Sequence, residues 1–122
     1  MEEVAGYKKL NLFQRADELV ILIYKYTKSF PREEIFGLVS QVRRAAVSVP
    51  ANIAEGYSRN NKKERLQFYY IAKGSLAEVD YYIELSFNLK YLDDSQYREL
   101  SIKRGETGKL LNGFINYHVQ KN

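Results

Sequence analysis

Ser48-Val49-Pro50-Ala51-Asn52-Ile53-Ala54-Glu55-Gly56 sets a proline in the middle of a segment that otherwise has the apolar spacing of an amphipathic helix. Ile35, Leu38, Val42, Ala45, Ala46 and Val49 recur at three- and four-residue steps, and Ile53 and Ala54 extend the stripe beyond Pro50. A proline at that point has no N–H for the Ala46 carbonyl and crowds it, at about 3 kcal/mol in an isolated helix. Local propensity alone would split the helix at Val49. One proline-kinked helix over 32–57 instead requires nearby polar groups or packing to compensate. Ser48 and Asn52 are the side chains placed to bond near the freed carbonyl.

Outward from this segment, Leu12, Ala16, Leu19, Val20, Ile23 and Thr27 define the apolar stripe of a first helix over 12–28, ended by Ser29-Phe30-Pro31. Pro31 suits the first turn of the second helix, where its missing N–H is harmless, and Glu33 and Glu34 favour that positive terminus. Gly56 to Asn61 forms a turn. Asn61 and Glu64 then have the logic of a capping box for a third helix reaching about residue 89.

The third helix carries two apolar rows. One is Phe68, Ala72, Leu76, Val79, Ile83 and Phe87; the other is Ile71, Ser75, Tyr82, Leu85 and Leu89. Two rows predict burial on two sides. Asp93-Asp94-Ser95 caps a fourth helix over 95–118, whose stripe includes Tyr97, Leu100, Leu111, Phe114, Ile115 and Val119. Four helices joined by short loops predict an all-α fold, an antiparallel up-down four-helix bundle. Residues 1–122 form one domain, with 1–10 as a loose N-terminal arm.

Composition agrees with that size. Apolar residues make up 45% and charged residues 28%, a globular balance. There is no cysteine, which excludes disulfides and thiolate chemistry and suits a cytoplasmic location. The most apolar run, Leu19 to Tyr24, is far shorter than the roughly 20 residues of a membrane span, so no membrane association is expected.

The net charge of +4 is concentrated. Arg43, Arg44, Arg59, Lys62, Lys63 and Arg65 outnumber Glu55 and Glu64 between positions 43 and 65, while the rest of the chain is balanced. Such a patch attracts phosphate or an acidic partner; the plainer reading is a solvated helix end.

Nothing in the chain points to catalysis, a cofactor or a metal. The single histidine is His118, near a helix end; no Glu-x-x-His pair of a di-iron bundle occurs, and the glycines stand singly rather than in a phosphate loop. A polar constellation is more promising: Arg43, Arg44, Asn52 and Glu55 on the second helix can meet Glu78 on the third. Glu78 falls on an otherwise apolar row, which predicts at least half burial and an arginine partner. That arrangement is either a recognition site or a register-fixing network. Eleven tyrosines and six phenylalanines suit either base stacking or subunit contacts.

The pattern resembles the 23S rRNA-intervening-sequence proteins. The resemblance rests on Phe30-Pro31, on Gln41, Arg44, Ser48, Pro50, Asn52, Glu55 and Gly56, and on Ala72, Ser75, Leu76 and Glu78. It implies a bacterial four-helix bundle with one proline-kinked second helix rather than a break at Val49, assembled as a homo-oligomer, a pentamer around a central channel. It also implies a relation to the accessory proteins of diversity-generating retroelements, which bind reverse transcriptase and nucleic acid. No catalytic role attaches to the matching residues, so they read as determinants of fold and assembly. The function expected is a non-enzymatic oligomeric bundle binding RNA or a nucleic-acid-bound protein partner through the basic surface. The alternative is a protein-only scaffold.

Overall fold

Asn61 and Asp93 begin the two longest helices as side-chain caps. A computed structural model describes residues 6–121. Helix α1 spans Asn11–Thr27, α2 Ser40–Tyr57, α3 Lys62–Asn88 and α4 Asp94–Gln120. The Asn61 carboxamide accepts from the Glu64 N–H at 2.9 Å and starts α3. Asp93 and Gln96 close a reciprocal capping box at 2.7 and 3.0 Å and start α4. Each satisfies amide donors that a helix start leaves orphaned.

Cross-helix contacts fix the directions. The start of α2 meets the end of α1 through Arg43 and Thr27, and the end of α3 meets the start of α4 where Phe87 stacks on Tyr97 at 4.1 Å. Lys103 reaches Glu18 at 2.8 Å, and Tyr26 donates to Glu99, so α4 closes on α1. Consecutive helices therefore run antiparallel around one core, to which all four contribute. In α1 the buried set is Leu12, Ala16, Leu19, Ile23 and Thr27, the stripe read from sequence apart from half-buried Val20.

The second helix begins later than its periodicity predicts. Pro31 leads into a 3-10 turn over Arg32–Glu34, and a wide turn over Ile35–Val39 follows. Gly37 there leaves helical geometry (φ −109°, ψ −110°). The Glu34 carboxylate, accepting from the Leu38 N–H at 3.3 Å, supplies the local stop and restart. Helix α2 then stays helical through buried Pro50. Asn52 donates to the Ser48 carbonyl at 2.8 Å and to the Ser48 hydroxyl at 2.9 Å, and that hydroxyl lies 2.8 Å from the Ser75 hydroxyl. The bonds go to Ser48 rather than to the freed Ala46 carbonyl, and they stitch α2 to α3 beside the proline.

Gly56 sets the closest approach between these two helices. A Cβ there would lie 2.6 Å from Cε1 of fully buried Tyr69 and 3.0 Å from Phe68 Cβ. Residues 1–5 of the expected N-terminal arm lie outside the described residues. Gly6–Lys9 forms a 3-10 turn, with the Tyr7 ring 4.9 Å from that of Phe13.

Candidate nucleic-acid interface

The six basic residues singled out by charge counting do not share one surface. Arg44 is separated from Tyr57, at the far end of α2, by about 20 Å of helix. Arg43 and Arg44 sit at one end; Arg59, Lys62, Lys63 and Arg65 sit beyond the other.

Most of the second group is engaged within the chain. Arg59 pairs with Glu55 at 3.1 Å and lies 4.9 Å from the Phe68 ring. Arg65 Nε donates to the Arg59 carbonyl at 2.6 Å, which pins the turn between α2 and α3. Lys62 Nζ donates to the carbonyls of Val119 and Lys121 at 3.0 and 2.6 Å, where a cation suits the negative end of α4. Lys63 is exposed and has no bond among the described residues.

At the other end the hairpin from α1 into α2 gathers new cations. Arg43 and Arg44 line a cleft of about 680 Å³ with Lys28 and Arg32, and no acidic side chain lines it. The Arg43 guanidinium lies 4.6 Å from the Tyr24 ring centroid, and its Nε donates to the Thr27 hydroxyl at 2.9 Å. These contacts hold it against the end of α1. Arg44, Lys28 and Arg32 are exposed, without intramolecular partners among the described residues. Phe36 stands at the rim, 96% exposed.

Lys28 and Arg32 were hidden in the charge count because Glu33 and Glu34 cancel them in sequence. In space Glu34 is turned to other work: its carboxylate caps Leu38 and accepts from the Tyr91 hydroxyl at 3.0 Å. The Tyr91 hydroxyl titrates above its ordinary value for that reason. The only sequence signal for the pair was the short connection that folds the end of α1 onto the start of α2.

The expected network around Glu78 is corrected. Glu78 is exposed, Arg43 binds Thr27, and Glu55 pairs with Arg59. A carboxylate without a fixed partner favours the solvated edge of a helix face, while small Ser75 turns inward. What remains of the network is Ser48, Asn52 and Ser75. Glu78 and Arg44 instead border a second groove between α2 and α3, of about 490 Å³, together with Gln41, Ser48 and Ser75.

The second apolar row of α3 is only partly covered within the chain. Ser75 is buried, Tyr82 and Leu85 are half-buried, and Ile71 and Leu89 are exposed. Tyrosines divide likewise. Tyr69 is buried with a hydroxyl that lacks a partner among the described residues, and burial raises its pKa. Tyr97 donates to Glu84 at 2.6 Å and is raised by that bond; Tyr70, Tyr81 and Tyr117 are exposed. His118 packs edge-on against Phe114, and its Nδ1–H donates to the Phe114 carbonyl 2.8 Å away. Among the described residues no cluster of three His, Cys, Asp or Glu can hold a metal, and no helix is long and apolar enough to cross a membrane.

A four-helix bundle with an open basic cleft at one corner is the class this geometry defines. The family model of the 23S rRNA-intervening sequence protein matches residues 8–113, and the chain belongs to that family. A crystal structure of a protein of unknown function from the S23 ribosomal protein family of Bacteroides thetaiotaomicron VPI-5482 has the same fold. Its TM-score is 0.78 at 23% identity, covering 86% of this chain and 95% of that one. No functionally curated protein matches the chain.

Proposed function

We propose that this protein is a non-enzymatic bundle that binds RNA, or a partner carrying RNA, through the cleft at the start of α2, and that it acts as a homo-oligomer. The observation that carries the reading is the cleft lined by Lys28, Arg32, Arg43 and Arg44 with no acid. Four cations around one concavity supply sequence-independent phosphate contacts. Tyr24 and Phe36 beside them offer faces on which unpaired bases stack. The words 23S rRNA in the family's description suit the same ligand. A pentamer, as the resemblance implies, would repeat the cleft around a ring and raise avidity for one long RNA.

A protein-only scaffold is the second reading. It draws on Tyr70, Ile71, Tyr81 and Leu89, which leave apolar area on α3 uncovered. Light scattering with the 260/280 absorbance ratio read on the same peak separates the two. RNA binding predicts a raised ratio that falls as salt is increased. A multimer free of nucleic acid, with no affinity for added RNA at low salt, supports the scaffold and removes the first reading.

A further inference from the structure

The cleft and the α2–α3 groove are not independent. Phe36, Ser40 and Arg44 border both, so a ligand lying in one reaches the other across the Phe36 ring. The two linings differ in chemistry. The cleft is cationic; the groove is lined by Arg44, Gln41 and Ser48 from α2 and by Glu78 and Ser75 from α3. Arg44 and Glu78 are both exposed and unpaired among the described residues, so their hydrogen-bonding capacity is free.

We propose that this groove reads an unpaired guanine of single-stranded RNA, stacked against Phe36, while the neighbouring phosphates lie on Lys28, Arg32 and Arg43. The inference rests on the RNA-binding reading and names its ligand more narrowly. Guanine presents two acceptors, O6 and N7, on one edge and two donors, N1–H and N2–H, on the next. An arginine fork matches the first pair and a carboxylate the second. Adenine, cytosine and uracil lack one or other of these pairs. Exposed bases in single strands are read on these edges while stacked on aromatic rings, and Phe36 is the most exposed large apolar side chain of the described residues.

A second copy of the chain is the competing occupant for so exposed a ring. The groove argues against it, because glutamate is depleted at interface cores and Glu78 lines this groove unpaired among the described residues. A base edge requires just such polar walls.

The test uses fluorescein-labelled RNA octamers, all-uridine or with two central guanines, measured by anisotropy, with light scattering on each variant. Wild-type protein is expected to bind the guanine octamer at least about fivefold more tightly. Glu78→Gln should abolish that preference and leave affinity for the uridine octamer unchanged. Phe36→Ala, which removes an exposed ring and leaves the core intact, should weaken both by about tenfold with no change in mass. Inosine in place of guanine removes the N2 amine and should lower affinity only when Glu78 is present.

Equal affinity for the two octamers overturns guanine reading but leaves RNA binding by the cleft standing. Binding to neither removes both. Loss of mass in Phe36→Ala makes the ring a subunit contact and overturns the proposal.

Discussion

The two ends of α2 carry similar charge and put it to opposite uses. Beyond Tyr57, Arg59, Lys62 and Arg65 spend their donors on Glu55, on the Arg59 carbonyl and on the end of α4. Around the start of α2, Lys28, Arg32 and Arg44 surround an open cleft and bond to nothing among the described residues. A count of charge along the chain treats these groups alike. Geometry separates them: a cation whose donors are satisfied internally holds a turn, and one whose donors face water can take a phosphate.

Gly56→Ala gives the largest expected effect and sharpens the comparison at the engaged end. Alanine ordinarily gains up to about 1 kcal/mol over glycine inside a helix. Here the added methyl meets the Tyr69 ring at 2.6 Å, and overpacking should leave a net loss of about 1–3 kcal/mol in urea unfolding. Gly105→Ala meets nothing within 4 Å and should instead be stabilising by about 0.5–1 kcal/mol. If both substitutions have the same sign, the close approach of α2 and α3 at Gly56 is misplaced.

Charge reversal at the open end comes next. Arg32→Glu with Arg44→Glu should lower RNA affinity by about tenfold or more at moderate salt, with thermal stability unchanged. Loss of the charge at Lys62 should do the reverse. Lys62→Met forfeits two carbonyl bonds at the end of α4 and should cost about 0.3–1 kcal/mol of stability without touching RNA binding. A drop in affinity with Lys62→Met would break the comparison.

The smallest effect lies on the α1–α4 face, remote from both ends. The ammonium of Lys103, bonded to Glu18 at 2.8 Å, holds the Glu18 carboxyl below the usual carboxylate value. A lowered folded value means stability that is complete above the ordinary carboxylate pKa and is lost as pH falls through the folded value. Glu18→Gln should flatten that acid limb in a pH series of melting curves and leave RNA binding at neutral pH untouched.

Much of the frame was legible because it depends on local rules. The α1 stripe, the Asn61 cap and the cap of the fourth helix at Asp93 follow from helical period and from orphan amides, and the structure shows all three. The start of α2 was not legible. Periodicity ran unbroken through Gly37, and the Glu34 cap that interrupts it is a choice between competing local bonds. Tyr69 was passed over in favour of Phe68, since only the slot left by Gly56 on the opposing helix decides which ring goes in. Glu78 was assigned to the interior on the strength of its row, but three residues from Ser75 is enough rotation to reach the solvated edge. The site was harder still. Lys28 and Arg32 sit beside Glu33 and Glu34 in sequence, and only the hairpin separates the two signs in space.

The most direct measurement is the salt dependence of binding to a single-stranded RNA, for wild-type protein and for Lys28→Glu/Arg32→Glu/Arg44→Glu. On an all-uridine strand, where Arg44 is free to join Lys28, Arg32 and Arg43 on phosphates, the slope of log affinity against log salt should be about −3, and with only Arg43 left it should shrink to about −1 or vanish. An unchanged slope and affinity in the triple variant would contradict the assignment of RNA binding to the start of α2.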